Sequence, residues 1–158
     1  MPASRELDAV LGRVPSGIFI LTIGSGAQST GMLASWVMQA GFEPPMVSVA
    51  VKQARYICDW LTEGRPFVLN LVGEGQTLWL KHFGKGFEPG EPAFEGLAVA
   101  HCPRGVPILQ GVLGHLQCET VSHTDSGDHR VFLARVVRGA LEQAIDPMVH
   151  VRKSGAHY

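Results

Sequence analysis

A mainly β chain, closed into a barrel and interrupted by a few short helices, is the fold class this sequence predicts. Three observations predict it. Runs of apolar and β-branched residues recur with turn signals every several residues. Two of these runs, on either side of Thr124-Asp125-Ser126-Gly127, are long enough for extended antiparallel strands. Gly111, Gly114 and Gly139 fall within them, where glycine marks the bending a barrel needs.

The elements follow in order. Ser4 to Leu11 reads as a short helix with Ser4 as N-cap and Leu7, Val10 and Leu11 on one face, broken by Pro15-Ser16-Gly17. Ile18 to Ile23 is a β-rich run, and "GSGAQS" turns the chain. "TGMLASWVMQ" reads as one strand, with Met32, Ala34, Trp36 and Met38 alternating against Leu33, Ser35 and Val37, stopped by "FEPP". Met46 to Lys52 is a third strand with Val47, Val49 and Val51 on one face. "ARYICDWLTEG" has helical spacing and a glycine stop at Gly64. "FVLNLV" is a strand and "GQTLWLKHFG" a second short helix. A Gly/Pro-rich loop, "KGFEPGEPAFEG", and a further strand in "LAVAHC" precede the two long strands. "MVHVRKSGAHY" closes the chain with a short strand and a polar tail.

With no repeat, low-complexity tract or linker, residues 1–158 are expected to form a single domain, large enough to bury a core. Charged residues are only 17 %, so a partner chain or ligand is expected to cover some surface. The 13 basic and 14 acidic residues nearly cancel and form no basic run, which argues against a nucleic-acid partner. No apolar stretch reaches membrane-spanning length, and the N-terminal residues lack the apolar centre of a signal peptide. A cytoplasmic protein with no membrane association is expected. Cys58, Cys102 and Cys118 match no zinc or redox spacing and read as buried small apolar groups. The seven histidines show no metal-binding pattern, and scattered surface positions are expected for them.

Three stretches could carry chemistry. The first joins the small residues Gly31, Ala34 and Ser35, beside Trp36, to Lys52-Gln53-Ala54-Arg55 at a helix start. Small residues let a flat ring lie against backbone, and two cations at a helix start suit a phosphate. The alternative is an ordinary strand–helix junction with two solvated cations. The second is Gly127-Asp128-His129 at the hairpin tip. A turn needs Gly and Asp but no imidazole, so His129 could orient a substrate with Asp128 fixing its tautomer, or be incidental. The third is "HVRKSGAHY", a cofactor cover or a solvated tail.

Taken in order, these stretches resemble the flavin reductase-like family, whose members bind FMN on a Greek-key-like split β-barrel. "VPSGIFILT", "GMLASWVMQAGFEPPMVSVAV", "FVLNLV", "SGDHRVFLARV" and "RKSGAHY" carry the likeness over nearly the whole chain. "MLASWV", "FVLNL" and "HVRKSGAHY" are especially similar to the C-terminal flavin reductase-like module of flavodiiron proteins. Nothing here resembles the diiron or flavodoxin modules.

The resemblance implies FMN held by Met32, Leu33, Ala34, Ser35, Trp36 and Val37, with its phosphate near Val51, Lys52, Ala54 and Arg55. It implies His129 beside the flavin where nicotinamide approaches, as the residue that positions substrate. Trp36 would either pack on the ring or fill core. His82, Phe83 and Phe87 are further candidates for lining the pocket. The resemblance also implies a homodimer with flavin near the interface. Three functions share this pocket: an NAD(P)H-dependent flavin reductase supplying reduced flavin or electrons to a partner, an electron carrier holding FMN tightly, and a non-redox FMN-binding module. The short loop after Phe83 leaves the acceptor open, and no nicotinamide motif separates NADH from NADPH.

Overall fold

The computed structural model describes residues 4–158. Helix α1 (Arg5–Leu11) begins as expected, with the Ser4 hydroxyl accepting from the Leu7 N–H at 3.1 Å. Strand β1 (Ser16–Gly17) follows, then β2 (Phe19–Ile23), β3 (Thr30–Ala34), β4 (Val37–Gly41) and β5 (Met46–Lys52). Helix α2 (Tyr56–Thr62), β6 (Phe67–Leu71) and α3 (Thr77–Phe83) come next. Strands β7 (Val99–His101), β8 (Pro107–Leu109), β9 (Gly114–Ser126), β10 (His129–Leu141) and β11 (Val149–His150) complete the chain.

The main sheet has seven antiparallel strands in the order β3-β2-β6-β9-β10-β5-β4. Its two edge strands are consecutive in the chain, with only Ser35 and Trp36 between them. A flat sheet would put those edges about 29 Å apart, at roughly 4.8 Å per strand spacing. The link spans at most about 11 Å. The sheet therefore curls until its edges meet: a mainly β split barrel. This corrects the single strand expected over Thr30–Gln39. The first half pairs with β2, and the second with β5.

Residues of both β2 faces are buried, Leu21 and Ile23 inside the barrel with Val49, Phe67 and Phe132, and Ile20, with Ile18 just before the strand, outside it with Trp79, Phe83 and Leu109. That is why "IFILTI" reads as a continuous apolar run. The sequence showed no signal for β8. Its strand starts on a proline and is fixed to the outer sheet face by two buried side chains. Asn70 accepts from the Leu109 N–H at 2.9 Å, and the Thr22 hydroxyl donates to the Pro107 carbonyl at 2.6 Å.

Three further features refine the sequence reading. Ser16–Gly17, expected only to break a helix, pairs with Val149–His150. The β9–β10 hairpin turns through Gly127 and Asp128 alone, closing on the Ser126–His129 pair. Gly127 has φ +61°, as a two-residue hairpin turn requires of its first position. The long hairpin is bent by irregularities at Leu133/Ala134 and Val136/Arg138. Where β9 and β10 pair beyond them, a Cβ on Gly114 would lie 2.6 Å from the Ala140 carbonyl. All three cysteines are free and buried, as expected.

Candidate functional site

The seam where β3 gives way to β4 lies beside two cavities. A cleft of about 300 Å³ is lined by Met32, Leu33, Ala34, Ser35 and Trp36 on one side, and by Ala50, Leu80, Phe83 and Gly84 elsewhere. A wider cavity of about 670 Å³ is bounded by Gly31, Ala54, Arg55, Tyr56, Lys85 and Phe87. Met32 and Arg55 line both, so the two spaces adjoin there.

Local structure explains this placement. Arg55 occupies the N-cap position of α2, where its donor-only guanidinium cannot accept from the helix N–H groups, and it lines both cavities. The loop after α3 is tied down at Phe87, whose carbonyl accepts from the Tyr56 hydroxyl at 2.7 Å. The same hydroxyl lies 3.1 Å from Thr30 Oγ1. The side chains of Phe83 and Phe87 pack edge to face with centroids 5.8 Å apart.

A third cavity, about 270 Å³, lies behind Trp36 and is bounded by Lys52, Asp128, His129, Arg152 and Tyr158. His129 is 8 % exposed, against the expectation of surface histidines. Its Nδ1 lies 2.6 Å from Asp128 Oδ1, and its Nε2 bonds the Tyr158 hydroxyl. An ionised carboxylate only accepts, so Nδ1 carries the proton and Nε2 accepts from the phenol. The His129 bond holds the Asp128 carboxyl below the usual carboxylate range. Burial pushes the Tyr158 phenol up, opposed by the Arg55 guanidinium, while Asp128 adds to the rise. Gln53, which the sequence did not single out, holds the hairpin tip: its Nε2 donates to the carbonyls of Gly127 at 3.2 Å and His129 at 2.9 Å.

The structure thus brings Met32, Leu33, Ala34, Ser35, Trp36, Ala54, Arg55 and Phe87 to two adjoining cavities. It separates the others. Val51 is buried in the barrel core, and Val37 packs against the same core. Strand alternation then sends Lys52 to the opposite side from Val51, into the third cavity with His129. Phe83 lines the cleft, whereas His82 bonds the Ala93 carbonyl at 2.7 Å outside both adjoining cavities. Ala50 and Lys85 are lining residues that sequence patterning missed, whereas Tyr158 belongs to the tail singled out as a possible cover. Only the position of Ala50 on a strand next to the seam could have flagged it.

The closing tail is held in place. The Arg152 N–H donates to the Gly12 carbonyl and the Gly155 N–H to the Asp8 carbonyl, both at 2.7 Å. The Arg152 guanidinium lies 5.2 Å from the Trp36 ring centroid.

The family model for the flavin reductase like domain matches residues 11–156. The chain belongs to this family. It is 38 % identical over 155 residues to diflavin flavoprotein A 1 of Synechocystis sp., a match covering 97 % of this chain and 27 % of that protein. The chain thus spans about a quarter of the length of that relative, as the resemblance to the flavodiiron-associated module implies. The NADH:FAD oxidoreductase of Streptomyces globisporus, in complex with NAD and FAD fragments, superposes with a TM-score of 0.80 at 25 % identity, over 94 % of this chain and 87 % of that one. The styrene monooxygenase flavin reductase of Pseudomonas putida gives 0.75 at 26 % identity, over 90 % of each chain. Family and fold together support a flavin-linked oxidoreductase function. Among the described residues, no helix is long and apolar enough to cross a membrane.

Proposed function

We propose that residues 1–158 form one FMN-binding unit that oxidises NADH or NADPH and passes electrons, or reduced flavin, to a partner. The observation that carries this reading is the junction at Met32 and Arg55, where a narrow cleft walled by small and aromatic side chains adjoins a wider cavity lined by Arg55 and Lys85 and also by Glu88 and Glu91. That shape suits a flat tricycle with a phosphorylated tail, the phosphate lying on the Arg55 and Lys85 side of the wider cavity. The donor set fits. Ala34, Ser35 and Ala50 leave room for a ring close to backbone, with Phe83 and Trp36 as aromatic walls, while Arg55 and Lys85 supply charge for the phosphate.

Bound flavin would supply the two-electron chemistry itself. The chain's residues then bind, orient and exclude water. Asp128 fixes the His129 tautomer, and Tyr56 anchors the loop that walls the phosphate end. The relative in Synechocystis is named as a diflavin flavoprotein, and the Pseudomonas neighbour as the flavin reductase of a monooxygenase. Both names support a redox protein as the acceptor.

A second copy of the chain is the proposed partner for the face of β4, β5 and β10. Met38 pairs with Ser48, and Ser48 with Leu133, in one row across three strands. Met38 is 66 % and nearby Phe42 90 % exposed, an apolar surface that a homodimer would cover. Three unpaired, buried cysteines suit a reducing, cytoplasmic setting.

One observation favours the electron-carrier alternative: Tyr158 covers His129, so the route proposed for nicotinamide is closed in this conformation. Titration of flavin fluorescence with FMN and with riboflavin tests the binding claim. The proposal expects FMN to bind at least tenfold more tightly, because riboflavin lacks the phosphate that Arg55 and Lys85 would hold. Equal affinities would remove Arg55 and Lys85 from the site.

A further inference from the structure

We propose that Tyr158 is a positioning residue that keeps His129 closed off until a second planar ring enters beside Trp36 and displaces it. The inference rests on the functional reading above for the identity of that ring, a reduced nicotinamide.

The partition between the two sides of the seam is narrow. The cleft and the His129 cavity share two lining residues, Trp36 and Tyr158. Trp36 sits in the two-residue link between edge strands, and its carbonyl accepts from the Ala50 N–H at 3.0 Å, so its backbone is fixed. Tyr158 is the movable wall. Its ring packs on Trp36 with centroids 5.1 Å apart, its hydroxyl bonds His129, and the residue is still 57 % exposed. One hydrogen bond and two exposed ring contacts, on Trp36 and edge-on to His129, are weak enough for a ligand to replace.

The base of the strap, in contrast, is fixed. Its backbone bonds to Gly12 and Asp8 run along the end of α1, and two glycines allow the close approach. A Cβ on Gly12 would lie 2.6 Å from the Arg152 carbonyl, and one on Gly155 2.3 Å from Leu11 Cβ. Tyr158 can therefore swing out without the strap leaving α1. When it leaves, the two cavities merge, and His129 is exposed beside Lys52 and Arg152.

Tyr158 thus competes with nicotinamide, and its removal should change the half-saturating concentration, not the maximal rate. The test uses the full chain loaded with FMN and reduced without oxygen by NADH in stopped flow. Tyr158→Phe keeps the ring and removes the hydroxyl. It is expected to lower the half-saturating NADH about two- to tenfold, the range for one neutral hydrogen bond. Tyr158→Ala should lower it at least as far. A second readout needs no flavin: acylation of His129 by diethyl pyrocarbonate, followed by peptide mass spectrometry, with exposed His123 as the internal reference. Tyr158→Ala is expected to raise the His129 rate about tenfold.

Unchanged acylation of His129 would overturn the proposal. So would a half-saturation that stays level or rises in both variants, or a maximal rate that falls alone, which would make the phenol a participant in turnover. A chain that takes up no FMN would fail the functional reading, and the acylation rates would still decide whether Tyr158 shields His129.

Discussion

The indole of Trp36 packs on the imidazole of His129, ring centroids 4.6 Å apart and planes tilted by 34°. One residue sits at the break between the edge strands, the other at the first position of β10. The pair therefore fastens the seam of the barrel on its outer side. Trp36→Ala should lower unfolding stability by roughly 2 kcal/mol, below the usual loss for a fully buried tryptophan because this one is partly exposed. Urea denaturation measures the loss, and Trp36→Phe should recover about half of it.

Arg55 and Lys52 lie three residues apart and line different cavities. Arg55→Ala should weaken FMN binding about ten- to a hundredfold, as expected for a lost charge-assisted bond of roughly 1.5–3 kcal/mol. Lys52→Ala should change it less than threefold. Fluorescence titration of both variants separates the two cations, and a larger effect at Lys52 would move the phosphate to the other cavity.

Asn70 is fully buried and donates to the Ile20 carbonyl at 2.9 Å while accepting from Leu109. Asn70→Ala would leave the buried Leu109 N–H unpaired, whereas the Ile20 carbonyl keeps its ladder bond to residue 70. The expected loss is about 1–3 kcal/mol in urea denaturation, with β8 the first segment to lose amide-exchange protection.

Burial pushes the Cys118 thiol from 9.0 up to about 12. Below pH 9 the thiol is protonated in both states and stability is unaffected. Between pH 9 and 12 the unfolded thiol ionises while the folded one keeps its proton. Stability therefore falls by about 1.4 kcal/mol per pH unit from this group. Cys118→Ala should flatten that alkaline limb in urea titrations run at pH 8 to 10.5, and an unchanged slope would assign the limb to other groups.

The sequence carried most of the strands because their signals are local. The Val47, Val49 and Val51 alternation places the interior face of β5, and the same alternation sends Lys52 away from the Arg55 cavity. The break at Ser35–Trp36 has no local mark. An uninterrupted apolar pattern runs through it, and the split comes from pairing with β2 on one side and β5 on the other. His129 was legible as an anomaly in a turn. Its cover by Tyr158 was not, because a tail's packing depends on how α1 presents Gly12. Phe87 was a candidate from the sequence, but Lys85 was not, because its loop's direction is set by the Tyr56 hydroxyl and loop composition does not encode that bond.

Anaerobic stopped flow of the FMN-loaded chain with NADH and with NADPH tests the central claim most directly. Rapid bleaching of the flavin absorbance with one or both donors is the predicted result, with a rate that saturates as donor rises. Flavin that stays bound and oxidised in the presence of both would contradict nicotinamide oxidation and leave the chain an electron carrier reduced by another protein.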